Sequence, residues 1–287
     1  MMRSSGLLAL ALLAAPAFAQ DHRAPATSDP HAGHRMSAPS DTGDAPAPAP
    51  PADHAADALH DPAGMERARR AMRREGGGMG FSMVTLDLAE LQVREGRDGY
   101  RFEGAAWIGG DIDRAKLKAK AEGEFGGAPD HVEVQALWSR AIDPWWNLNA
   151  GVRYDVNPEP SRAYAVLGVE GVAPWWFHVE GAAFVSAKGD VHLRAEGSYD
   201  QRITQRLILQ PRIEANVALQ DVPELGIGGG LSDIELGLRL RYEIVPEFAP
   251  YVGVEYARKL GGTARFARAA GEGVGRTSFV AGVRLWF

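Results

Sequence analysis

From Phe81 to Phe287 apolar and polar residues alternate with a period of two, in stretches of about twelve residues. In the run from 233 to 244, Asp233, Glu235, Gly237, Arg239, Arg241 and Glu243 fall on one face. Ile234, Leu236, Leu238, Leu240, Tyr242 and Ile244 fall on the other. Such a period reads as strand, because successive side chains point to opposite sides of a sheet. Residues 207–220 repeat the pattern. Lys116, Lys118, Lys120, Glu122 and Glu124 oppose Leu117, Ala119, Ala121, Gly123 and Phe125, and His192, Arg194, Glu196, Ser198 and Asp200 oppose Val191, Leu193, Ala195, Gly197 and Tyr199.

These strands are longer than the ~5–6 residues usual in soluble sheets and match the ~9–11 needed to cross a bilayer at a tilt. Charges confined to one face and Leu or Val to the other suit a barrel with lipid outside and a wet interior. Magnitude sets the orientation: an Arg on the lipid face at mid-depth costs roughly 2–4 kcal/mol. Arg239 and Arg241 are therefore expected to point inward. Twelve strands are expected, at 82–93, 99–109, 114–125, 131–141, 146–156, 162–172, 176–186, 190–201, 205–219, 233–245, 249–260 and 276–287. The predicted fold class is all-β, an antiparallel transmembrane outer-membrane β-barrel with a disordered N-terminal tail.

With both strand termini on the periplasmic side, every turn after an even-numbered strand is short. The two long loops, 221–231 and 261–275, both fall on the opposite side. Trp145, Trp146, Trp175, Trp176, Phe177, Phe248 and Tyr251 lie beside the short turns, where aromatic residues favour the membrane interface. The last strand ends in an alternation of Phe279, Ala281, Val283, Leu285 and Phe287. A terminal strand of this kind resembles the signal read by the outer-membrane barrel-assembly machinery.

Residues before 80 have a different texture. Met1–Ala19 carries Arg3, an apolar run from Leu7 to Ala15 and an Ala-Phe-Ala end, the anatomy of a secretory signal peptide. Residues 20–80 are rich in Ala, Pro, Asp and His, too poor in large apolar residues to offset ordering entropy, and read as a disordered periplasmic tail. Within it, 66–75 can form a short helix whose five arginines make a solvated face. The domain reading is thus a signal (1–19), a tail (20–80) and a barrel (81–287) in the cell outer membrane, with outer-membrane lipid as its surroundings. A net charge of −6 argues against a nucleic-acid partner, which would call for a basic chain. No serine lies near a histidine in a recognisable motif, so no enzyme is expected.

Metal chemistry is concentrated in the tail. Of eight histidines, His22, His31, His34, His54 and His60 precede residue 80, and beyond the signal every Met (Met36, Met65, Met72, Met79, Met83) lies at or before 83. With no cysteine in the chain, imidazole and thioether remain as soft-metal ligands. Thioether suits Cu(I) and imidazole Cu(II). The expected copper ligands are His22, His31, His34, Met36, His54, His60 and Met65, with the clusters at 31–36 and 60–65 the tightest. Cleavage after Ala19 would start the mature chain Gln20-Asp21-His22. Its amine, two amides and imidazole form a square-planar set for Cu(II) or Ni(II), unless Gln20 cyclises. In the barrel, His131 with Glu133, His178 with Glu180 and His192 with Glu196 face the lumen. They either relay a cation or belong to a charged network.

The stretches Trp107–Asp111, Ser139–Ile142, Ala150–Asp155, Thr204–Asn216, Gly230–Asp233, Leu238–Glu243 and Phe248–Gly253 together resemble the copper resistance protein B family of the outer membrane. The resemblance covers nearly all of 81–287. It implies copper tolerance through copper bound at the periplasmic side and sequestered or moved across the outer membrane, with a periplasmic copper oxidase as soluble partner. The competing reading is a general channel or structural barrel with an inert tail.

Overall fold

The computed structural model describes residues 54–76 and 79–287. The expected signal peptide and the tail residues up to 53 lie outside the described residues. A single 3-10 turn, Ala55–Ala58, belongs to a unit separate from the one spanning Leu59–Phe287.

The helix expected over 66–75 runs as α1, Pro62–Gly76. Its start is set by Asp61-Pro62: the Gly64 N–H donates to Asp61 Oδ2 at 2.7 Å, and Pro at the first helical position gives up no bond. Glu66 gathers Arg69 at 3.0 Å, Arg70 at 3.3 Å and Arg73 at 3.4 Å. The Arg69 hydrogen bond, aided by the charges of Arg70 and Arg73, holds the Glu66 carboxyl below its usual range.

Twelve antiparallel strands follow: β1 Phe81–Arg94, β2 Gly99–Gly109, β3 Asp113–Glu124, β4 Pro129–Ala141, β5 Trp146–Asn157 and β6 Arg162–Ala173. They continue with β7 Phe177–Ser186, β8 Val191–Ser198 (resumed at Gln201–Arg202), β9 Leu207–Ala218, β10 Gly230–Tyr242, β11 Phe248–Lys259 and β12 Gly275–Trp286. Each pairs with its sequence neighbours, and β12 pairs back onto β1, so the sheet closes on itself. Closure extends to the last residue, since Phe287 and Val84 exchange both backbone bonds at 2.9 and 3.0 Å. Among the described residues no helix is long and apolar enough to cross a membrane; the crossing elements are strands.

The twelve expected strands are all present. The break in β8 at Tyr199–Asp200 has a local cause: Tyr199 faces Pro211 of β9, which has no N–H to return a ladder bond. β10 starts and ends three residues before the expected 233–245. A bulge beside Asn216–Val217 advances its register at one end, and the turn around Pro246 stops it at the other.

The wall is inverted relative to a soluble core. Leu167 (58% exposed), Val252 (58%) and Phe279 (67%) face outward, while Arg101 (0%), Glu90 (2%) and Arg239 (2%) are buried inside. Trp145, Trp175, Trp176, Phe177 and Phe248 are exposed near the short-turn end, as expected of interface aromatics. Tyr251 departs from that expectation. It sits on the inward parity of β11, 5% exposed, and its hydroxyl donates to Glu90 at 3.1 Å.

At the opposite end the two long loops lie against each other. The 219–229 loop folds as a small hairpin closed by Val222 and Ile227. The 260–274 loop contains α2, Gly261–Ala269, which alternation could not foretell. Helix α2 packs against β10 and β11. Gly228 and Gly262 meet backbone to backbone with no room for a Cβ on either, and the Gly228 N–H donates to Thr263 Oγ1 at 3.0 Å.

Candidate functional site: the charged lumen

Because every second residue points inward, the sequence delivers its charges to one enclosed space. They are joined across it. Arg101 of β2 meets Glu122 of β3 at 2.7 Å, Glu235 of β10 at 2.9 Å and Glu255 of β11 at 2.8 Å. Arg239 of β10 bonds Glu90 of β1 at 2.9 Å and Glu255 at 2.7 Å. Arg212 of β9 reaches Glu103 of β2 at 2.8 Å and Glu196 of β8 at 2.9 Å. Arg194 of β8 holds Glu133 of β4 through two nitrogens, both at 3.0 Å. Most of these bonds link strands that are not neighbours in the sheet, so they brace the barrel from within.

Beside them lies an apolar cluster, Leu137, Tyr164, Val166 and Phe184, also inside the lumen. The Arg153 guanidinium stacks 4.6 Å from the Phe184 ring and Arg194 lies 5.4 Å from it. A cavity of about 260 Å³ remains. Its lining runs from Lys120, Glu133 and Glu214 past Glu180 and Glu196 to Asp87, Asp200 and Arg284. It stops short of Phe184 and His192 and opens toward the short-turn end, where Asp87 and Arg284 are partly exposed. His178 and Asp200 also line a second recess at the rim, with Trp176, Tyr199 and Arg202.

The three lumenal histidines take different places. His131 Nε2 lies 3.4 Å from Glu133, within the charged network. His178 is exposed at the cavity mouth. His192 packs edge-on to Tyr164 at 5.8 Å and opposite Phe184, with Nε2 unbonded; four residues along the strand, Glu196 is out of its reach.

Of the expected copper ligands, His22, His31, His34 and Met36 lie outside the described residues. His54 and His60 are exposed, and Met65 is half-buried on α1. Among the described residues no group of three or more His, Asp or Glu forms a metal cluster.

A closed wall, an inverted polarity and a braced interior are shared features of one stretch of sequence, and that stretch has relatives. The family model for "Copper resistance protein B precursor (CopB)" matches residues 80–287. This chain belongs to the copper resistance protein B family. Copper resistance protein B of Escherichia coli is 44% identical over 205 residues, 71% of this chain and 69% of that protein. The copper resistance protein B homolog of Pseudomonas syringae pv. tomato is 42% identical over 206 residues, 72% of this chain and 70% of that protein. Among solved structures, the NanC porin is similar at 14% identity and a TM-score of 0.48, covering 70% of this chain and 98% of its own. The KdgM porin is similar at 12% identity and a TM-score of 0.40, covering 72% and 99%.

Membership in the copper resistance protein B family makes this a copper resistance protein of the cell outer membrane. The family match begins at residue 80, one residue before β1. It therefore covers the barrel and leaves the His/Met segment to be read from its own residues.

Proposed function

We propose that this family member captures copper ions at the periplasmic face through its N-terminal segment and hands them to the barrel for sequestration or passage across the outer membrane. The observation that carries this reading is the segregation of ligands: five histidines and all methionines beyond the signal precede residue 84, in a chain without cysteine. His22, His31, His34, Met36, His54, His60 and Met65 are the proposed ligands, with thioether favouring Cu(I) and imidazole Cu(II). In outer-membrane barrels the short turns face the periplasm, so the cavity at the short-turn end would open to the periplasm. His178, exposed at that mouth, is suited to receive the ion.

The protein acts as a binder and conduit rather than an enzyme. Its alternating last strand, ending in the exposed Phe287, would be read by the barrel-assembly machinery, and a periplasmic copper oxidase would be its soluble partner. The braced lumen argues against a general channel.

The test is copper titration of the full chain, wild type against a variant with those five histidines replaced by Ala and Met36 and Met65 by Leu, using a competing chromophoric chelator. The expected result is loss of most bound copper in the variant. Equal stoichiometry in the two proteins would remove the capture role and leave a barrel with an inert tail.

A further inference from the structure

Neither copper capture nor barrel closure requires the way charge is sorted around the lumen. Glu170 of β6 stands directly opposite Glu180 of β7, and Glu180 opposite Glu196 of β8. Glu196 stands opposite Glu214 of β9, and Glu214 opposite Glu235 of β10. Five consecutive strands thus present an unbroken arc of inward carboxylates. Like charges directly opposite in an antiparallel pair repel, so the arc depends on positive charge supplied from elsewhere.

Much of that charge crosses the lumen from one strand. Lys116, Lys118 and Lys120 alternate along the inward face of β3. Lys116 bonds Glu170. Lys118 meets Glu180 at 2.6 Å and Glu170 at 3.4 Å, and Lys120 meets Glu214 at 3.1 Å. Arg212 and Arg101 serve Glu196 and Glu235, and Arg194 and Arg212 also reach Glu214 at 3.3 and 3.4 Å, so Glu170 and Glu180 are the members paired with lysine alone. The cavity from the short-turn end runs between the two walls: Lys118 and Lys120 line one side, and Glu180, Glu196 and Glu214 the other.

We infer that the β3 lysines are a bolt: as tethered cations they hold the places on the glutamate arc that mobile cations would take, so that ions pass only when the lysines withdraw and the passage then opened selects cations. This deepens the proposed function and rests on ions passing through the barrel. A ring of fixed carboxylates selects cations by charge, and a cleft lined by one sign of charge concentrates counter-ions. An ammonium on a four-carbon stem is a mobile point charge that can leave a carboxylate without reshaping the wall.

The test uses the full chain in planar bilayers with potassium chloride, so copper binding does not enter. The wild type is expected to conduct weakly. Lys116→Gln/Lys118→Gln/Lys120→Gln is expected to raise conductance roughly tenfold or more, the scale of counter-ion enrichment by fixed charge, with K⁺ preferred over Cl⁻ by reversal potential. Adding Glu170→Gln/Glu180→Gln, the two carboxylates that Lys116 and Lys118 hold, is expected to abolish that preference. Wild-type conductance in a folded triple variant, or a rise without cation preference, would overturn the bolt. Should the triple variant fail the heat-shift test of folding, Lys118→Gln alone, which frees Glu180 and leaves Glu170 on Lys116, is judged by the same outcomes. Copper stoichiometry is expected to be unchanged in the lysine variants, which separates failure of the bolt from failure of capture.

Discussion

On the side of the lumen formed by β10 to β12 with β1 and the start of β2, Glu90, Gln92, Arg101, Arg239, Tyr251 and Glu255 are dry, none more than 5% exposed. On the side formed by β7 and β8, the Glu180 and Glu196 side chains keep 34% and 31% of their exposure and line an open cavity. The residue types are the same and so is the ion-pair chemistry. Solvent is what differs. A dry ion pair is costly to break because the survivor is left charged in a poor medium, whereas a wet one is rescued by water. One side of the lumen therefore acts as a structural brace, and the other is a surface on which charges can be exchanged.

The sharpest way to break this comparison is to remove one charge from each side. Arg101→Met leaves Glu122, Glu235 and Glu255 around an empty position and is expected to cost about 3–5 kcal/mol of unfolding free energy. Glu180→Gln, in the wet cavity, is expected to cost about 1 kcal/mol or less. Urea unfolding in vesicles, followed by the heat-dependent gel shift, checks both. Equal losses would mean that solvent does not distinguish the two sides.

Much of this contrast is legible in the order of residues. Strand count, strand spans and the inward aim of Arg239 and Arg241 all follow from period two and from the cost of charge in lipid. The same parity places Lys116, Lys118 and Lys120 on one face. The glutamate arc is not legible, because whether Glu180 meets Glu196 depends on register, and register depends on turn geometry and bulges such as those at Asp87–Leu88 and Asn216–Val217. Tyr251 breaks the aromatic expectation because proximity to a turn says nothing of which face a residue occupies. Helix α2 escapes a reading by alternation because Gly261–Ala269 is glycine- and alanine-rich and takes its structure from packing on β10 and β11 rather than from a strong apolar pattern. The metal ligands remain a reading of composition: loose spacing does not define a cluster.

A second test sharpens the contrast between the wet cavity and the end covered by the long loops. Gly262→Val would place a branched side chain where a Cβ already comes within 2.8 Å of the Gly228 backbone. Overpacking of this kind costs roughly 1–3 kcal/mol. The loss is expected to be local, since α2 lies outside the barrel ladder. Trypsin cleavage after Arg265 and Arg268 should accelerate while the barrel's heat shift is unchanged. Loss of the whole barrel instead would show that the loops are part of the brace.

The smallest effect concerns the strap that ties the 219–229 loop to the rim. Glu224 bonds Lys188 at 2.8 Å and also Arg162, which is shared with Asp190. The hydrogen bonds from Lys188 and Arg162 lower the Glu224 carboxyl below its usual 4.5. A depressed carboxylate contributes stability that is fully present above its unfolded value and is lost as pH falls through the folded one. The strap is therefore expected to hold from neutral pH down to the ordinary glutamate range and to loosen only below it. Hydrogen–deuterium exchange of residues 221–229, corrected for the intrinsic pH dependence of exchange, should show protection lost on acidification past that range. Glu224→Gln should abolish that transition and leave the loop equally exposed at every pH, with Asp190 still bound to Arg162. A transition that persists in Glu224→Gln would show that Glu224 is not the group whose protonation loosens the loop.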